Sequence, residues 1–230
     1  MTQPLQTTSP AQKESSEANA TLHDWTSRVT RLANALVRAI TQHWLLIFNT
    51  AMGLYAALPA LPPVLMKTGH PRAAGLLYTL FAPLCHQLPE RSFFLFGPRL
   101  AYTLGELKRR IGPEVPLRYI GSAALGYKLA ICERDTAMFV AIWLAGLAFG
   151  LVRRRLRPLA LKAFALTCVP LAVDGLGQLV GLWESTWWSR VLTGSLFGVA
   201  CIWLAYPLVE DAMQDVRRVV NQEPTGGATP

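Results

Sequence analysis

Long apolar runs separated by short charged interruptions make up most of this chain. They fall at residues 44–66, 73–88, 136–152, 159–182 and 190–209. Four of them approach or exceed the roughly 20 residues that an α-helix needs to cross a bilayer. The run at 73–88 is shorter, and the pattern there fits either a span with little tilt or a partly re-entrant helix. Pro59, Pro62 and Pro63 are expected to kink or end the first span in its second half. Ahead of it, Trp25, Val29, Leu32, Leu36 and Ile40 recur at helical spacing, with Arg28, Arg31 and Arg38 elsewhere. This predicts an amphipathic helix over 23–43 lying in the membrane interface, the other reading being a solvated helix that continues into the first span. Residues 1–22 are polar and expected to be disordered, and 211–230 read as a polar C-terminal tail. The mixed segment 89–131 reads as one or two interfacial helices broken at Gly112-Pro113. The predicted fold class is all-α: a polytopic bundle of four to five transmembrane helices, spanning 44–210, with an interfacial N-terminal helix.

Composition agrees with that pattern. Only 16% of the 230 residues are charged, against about 25% in soluble domains. The net charge of +8 sits in short loops and helix ends, which is topology-setting charge rather than a nucleic-acid surface. The expected partner is therefore the lipid bilayer, with no nucleic acid. The first apolar run starts too late and is too long for a cleavable signal peptide. Four arginines within 153–157 place that loop in the cytoplasm, and 89–135 with the 184–189 turn on the opposite face. The expected location is a bacterial cytoplasmic membrane, crossed several times. Trp183, Trp187 and Trp188 mark the interface at the exit of the fourth span.

On this topology the unusual polar residues converge at one end. Cys85, His86, Gln87, Arg91 and Ser92 follow the second run. Cys132, Arg134 and Asp135 open the third span, Asp174 and Gln178 lie near the outer end of the fourth, and Glu184, Arg190 and Thr193 lead into the fifth. Asp174 stands about eight residues inside its span, roughly 12 Å deep at 1.5 Å per residue. An aspartate there is costly unless it faces the bundle and finds a partner. Arg190 is the first candidate, with Arg91 and Arg134 as others. Glycines four apart at Gly146/Gly150, Gly177/Gly181 and Gly194/Gly198 favour close helix approach in lipid.

Cys85, His86, Cys132 and Asp135 have the donor types of a zinc or other transition-metal site. A Cys85–Cys132 disulfide, a nucleophilic Cys85 and plain packing are the other readings of the same residues. The spacing of the four cysteines (Cys85, Cys132, Cys168, Cys201) rules out a small disulfide scaffold.

Three ordered motifs over about residues 75–200 carry a family resemblance. They are Cys85-His86-Gln87 with Pro89-Glu90-Arg91-Ser92-Phe93 and Gly97; Cys132-Glu133-Arg134-Asp135-Thr136; and Asp174-Gly175 with Gln178, Glu184-Ser185-Thr186, Arg190 and Thr193-Gly194. In these the chain resembles the predicted bacterial membrane proteins of domain-of-unknown-function family 2085. It departs from the family pattern where Asp135 replaces a second cysteine and Ala137 a glycine. The resemblance implies a polytopic membrane protein and no particular reaction. The leading expectation is a binding, transport-related or accessory protein with a polar pocket near the extracytoplasmic face, taking a small molecule or an ion. The alternative is a metal-dependent or thiol-redox membrane enzyme built on Cys85, His86, Cys132 and Asp135.

Overall fold

The computed structural model describes residues 10–153 and 155–222. Residues 1–9 of the expected disordered segment, Arg154 of the basic run and residues 223–230 of the tail lie outside the described residues. Helix α1 runs Pro10–Ala57, then a 3-10 turn at Leu58–Ala60 leads into α2, Leu61–Lys67. Helix α3 is Pro71–Phe81, and a second 3-10 turn follows at Pro89–Arg91. After strand β1 (Phe94–Leu95) come α4 (Leu104–Ile111), β2 (Gly121–Ser122) and β3 (Gly126–Lys128). Helices α5 (Glu133–Val152), α6 (Leu161–Leu179) and α7 (Trp187–Gln222) complete the chain.

Among the described residues, three helices are long and apolar enough to cross a membrane: Thr21–Lys67, Glu133–Val152 and Trp187–Gln222. The 20 residues of α5 rise about 30 Å, the thickness of a bilayer's hydrocarbon core. Most of that helix is not covered by protein. Leu144, Leu147 and Leu151 are exposed, as side chains solvated by lipid are. Helix α6 has 19 residues and a similar length, but Lys162, Asp174 and Gln178 lower its hydropathy. Helix α3 has 11 residues, about 16 Å of rise, and cannot cross on its own. Among the described residues, length and composition thus give three candidate spans, with α6 close behind, beside the four to five expected. The bundle itself is all-α, as expected.

Two segments differ from the sequence reading. Helix α1 is continuous from Pro10, with no break between a disordered tail and a separate helix at 23. Segment 89–131 holds one short helix and a three-stranded antiparallel sheet in the order β1-β3-β2, not one or two interfacial helices. A capping box between Thr103 and Glu106 starts α4, and Gly112, at φ +133°, ends it. The proline cluster acts as expected: α1 gives way to the 3-10 turn at Leu58, and the prolines are taken up in the first turns of that turn and of α2, where a missing N–H costs nothing.

The described residues form two compact units, one within 45–210 and the other made of residues 10–44 with 211–222. In the second of these the apolar stripe Trp25, Val29, Leu32, Leu36 and Ile40 is exposed, and the Arg38 guanidinium donates to the Val220 carbonyl at 3.1 Å. Helix α7 continues through 211–222, where Arg218 and Asp215 pair at 3.1 Å. In the larger unit, α3 packs Ala74, Tyr78 and Phe81 on Ala130 and Ile131. A neighbouring cluster of Phe94, Tyr102, Leu107 and Leu125 holds the small sheet to α4.

Helices α5 and α7 approach to backbone contact. A Cβ on Gly194 would stand 2.5 Å from the Arg134 carbonyl oxygen, and one on Gly198 2.6 Å from that of Met138. The Gly177/Gly181 pair does something else. Gly177 faces the Trp183 ring, while Gly181 has φ +75° beyond the C-cap of α6, the left-handed position that ends helices.

Candidate functional site

The first turn of α5 distributes its side chains to three different segments. Cys132 is the N-cap: its sulfur accepts the Asp135 N–H at 3.4 Å, and its carbonyl accepts the Thr136 hydroxyl at 2.8 Å. Glu133 and Asp135 fall in the first turn, where carboxylates interact favourably with the helix dipole. Successive residues of a helix point about 100° apart, so Glu133 and Arg134 leave in different directions. Cys132 and Asp135, three apart, share a face.

Arg134 reaches α6 and forms an ion pair with Asp174. The other carboxylate oxygen of Asp174 accepts hydroxyls from Ser185 at 2.8 Å and Ser189 at 2.7 Å. A carboxylate deep in an apolar helix is thus paired and hydrogen-bonded, as its cost requires. Arg190 is not its partner, contrary to the first expectation. It bonds Glu133 at 2.8 Å and the Glu90 carbonyl at 3.3 Å. Glu133 is 1% exposed and Arg190 6%, so this second pair is almost fully withdrawn from solvent. The Nε atoms of both Arg134 and Arg190 are buried without a hydrogen-bond partner.

The third direction leads to Cys85. The Cys85 and Cys132 sulfurs and an Asp135 carboxylate oxygen all lie within 4.8 Å of one another, and all three residues are half-buried. The neighbouring Cys132 thiol, acting as a donor, draws the Cys85 thiol below its ordinary value, and the Gln87 backbone N–H also favours its thiolate. Cys132 moves the opposite way, because its proton is held toward Cys85 and the site is desolvated. Lys128 lies fully buried beside this cluster. Burial brings its ammonium down to about 8, against the opposing field of Cys85. Its Nζ donates to the Gln87 carbonyl.

Not every expected residue joins these clusters. His86 is exposed and stands outside the Cys85–Cys132–Asp135 group, because neighbours on a tight turn point apart. Gln87 has φ +55° and spends its amide on the Tyr78 carbonyl at 2.6 Å. The Ser92 hydroxyl is buried against the Leu88 carbonyl at 2.8 Å. Thr193 bonds back to the Ser189 carbonyl at 2.9 Å. These three hold the local backbone. Conversely, Glu133, Ser185, Ser189 and Lys128 belong to the clusters and were not among the residues expected there. Ser185 and Ser189, four apart and opposite Asp174, carried a readable signal; Lys128 stood among the charges of the mixed 89–131 segment, and Glu133 only within the Cys132–Thr136 motif.

A cavity of about 460 Å³ opens between the second 3-10 turn, the 99–106 segment and the α6–α7 connection. Arg91, Gln178, Glu184 and Arg190 line it, together with Glu90 and Trp187. Arg91 and Glu184 form no ion pair among the described residues.

Comparison with known proteins adds the class. Residues 123–204, which include all of α5 and α6, match the family model described as predicted membrane protein, domain-of-unknown-function family 2085. The chain is 24% identical over 140 residues to an uncharacterized protein of Methanocaldococcus jannaschii, covering 57% of this chain and 67% of that one. No solved structure matches. The family resemblance seen in the motifs holds over the matched stretch, and with its apolar helices the chain is a multi-pass membrane protein in a lipid bilayer.

Proposed function

We propose that this protein binds a small polar ligand at the extracytoplasmic rim of its helix bundle, in a transport-related or accessory role in a bacterial cytoplasmic membrane. One observation carries the reading: the cavity lined by Arg91, Gln178, Glu184 and Arg190 draws on segments far apart in the chain. Building such a mixed-charge recess at the end of a lipid-embedded bundle costs stability that packing alone does not require. Arg190, clamped by Glu133 and the Glu90 carbonyl, is a preorganised wall of the recess. Arg91 supplies an unpaired cation, and Glu184 an unpaired carboxylate. The lining therefore suits a ligand with both an anionic and a cationic group. The exposed stripe of α1 lies along the interface in this reading, and the basic run at 153–157 faces the cytoplasm.

Phosphoethanolamine is a suitable probe, with inorganic phosphate and ethanolamine as its single-charge halves. Titrated into purified protein in detergent, phosphoethanolamine is expected to raise the thermal midpoint more than either half. The Arg91→Gln and Glu184→Gln variants should each lose at least about 1 kcal/mol of that binding, the worth of a charge-assisted hydrogen bond. Equal responses to the three probes, or an unchanged response in both variants, would remove the pocket from the account.

A further inference from the structure

The Cys85–Cys132–Asp135 cluster is separate from the cavity and serves no part of the ligand reading. We infer that these three residues bind a zinc-class divalent cation, leaving a fourth coordination position open. The inference stands whether or not the pocket binds anything.

Three observations support it. First, donor geometry: two sulfurs and a carboxylate oxygen lie within 4.8 Å of one another. Donors bound to zinc at about 2.3 Å for sulfur and 2.0 Å for oxygen stand roughly 3.5 Å apart around a tetrahedron, so the ion requires only a small closure of side chains. The helix supplies part of this in advance, since Cys132 and Asp135 share a face at the first turn of α5.

Second, the surroundings match those of metal-bound thiolates. Each sulfur faces a backbone N–H: that of Asp135 at 3.4 Å for Cys132, and that of Gln87 for Cys85. Such outer contacts orient ligands and stabilise their charged form. Gln87 holds its left-handed conformation, at φ +55°, between two anchors: its amide on the Tyr78 carbonyl and its carbonyl on Lys128. The turn that aims Cys85 is thereby fixed.

Third, the charges balance. Two thiolates and a carboxylate around a divalent cation leave one negative charge. Lys128, buried and within the field of Cys85, is the cation placed to offset it. Both cysteines are free thiols in the structure, and a metal needs only the loss of their protons. Two thiolates with one carboxylate select a borderline-soft ion over magnesium or calcium, and three protein ligands are the pattern of sites that keep an exchangeable position.

Cobalt(II) is the direct probe. Full-length protein in detergent, reduced and freed of metal with a chelator, is titrated with cobalt(II) and followed by absorbance. A near-ultraviolet thiolate-to-cobalt charge-transfer band saturating at one ion per chain is expected, and zinc should abolish it. Cys85→Ser and Cys132→Ser should each lose the band, while the Cys168→Ser/Cys201→Ser double variant keeps it. Asp135→Ala should weaken binding by at least about tenfold. Asp135→Cys should raise the band by about half, three thiolates replacing two, and this gain does not depend on the serine variants folding. No band in protein whose thiols titrate as reduced, a band that survives both serine substitutions, or a band unchanged in Asp135→Cys would each overturn the inference.

Discussion

Replacing Asp174 with alanine is expected to cost about 3 kcal/mol of stability, the lower end of the range for breaking a buried ion pair. The substitution removes the partner of Arg134 and the acceptor of two serine hydroxyls together. Arg134 already holds one buried nitrogen without a partner, so it has no ready alternative. Its side chain is 21% exposed, which admits some water and keeps the cost from the top of the range. Asp174→Asn should fall between, because an amide oxygen still accepts from the serines. Ser185→Ala and Ser189→Ala should each cost about 1 kcal/mol. An exposed change such as Glu114→Gln should stay within about 0.5 kcal/mol. Unfolding midpoints of purified protein in one detergent give the comparison. Should Asp174→Ala unfold like Glu114→Gln, the paired carboxylate has no structural weight.

The Glu133–Arg190 pair should show the strongest coupling in the molecule. With side chains 1% and 7% exposed, each charge depends on the other for solvation. Glu133→Leu or Arg190→Met alone leaves a buried ion uncompensated and should cost about 3–5 kcal/mol. The double variant removes both charges and packs apolar groups in their place. It should recover most of that loss, since replacing both members of a buried pair is often close to neutral. The interaction from the double-mutant cycle should exceed about 2 kcal/mol, at the upper end of what residues in contact show. The Arg134/Asp174 cycle should also show strong coupling, and the crossed Asp174/Arg190 cycle much less. Strong coupling in the crossed cycle instead would mean that the partners are assigned the wrong way round.

That assignment shows where the sequence stops being readable. The apolar runs at 136–152, 159–182 and 190–209 correspond to helices because hydropathy and length are properties of a segment alone. The meeting of polar residues was visible too, since alternating spans bring the start of α5, the end of α6 and the start of α7 to one end of a bundle. Which arginine meets which carboxylate depends on helix phase and crossing, and that information lies between segments. Arg190 therefore looked like the partner of Asp174, in the next segment across a short turn. Glu133 stayed hidden between Cys132 and Arg134, although it is the most deeply buried acid of the set. The small sheet escaped notice for a different reason: strands of two and three residues show no usable alternation. His86 was grouped with Cys85 by adjacency, whereas of the two only Cys85 joins Cys132 and Asp135.

The first turn of α5 gathers segments that are remote along the chain, and the native thiols test this directly. In membranes carrying the Cys168→Ser/Cys201→Ser variant, treated first with a chelator and then with copper-phenanthroline, oxidation should join Cys85 to Cys132 within one chain. Proteolysis and mass spectrometry under non-reducing conditions would identify the linked peptides, and reduction would release them. Both thiols remaining free after oxidation, or pairing only between chains, would contradict the arrangement of α5 described here.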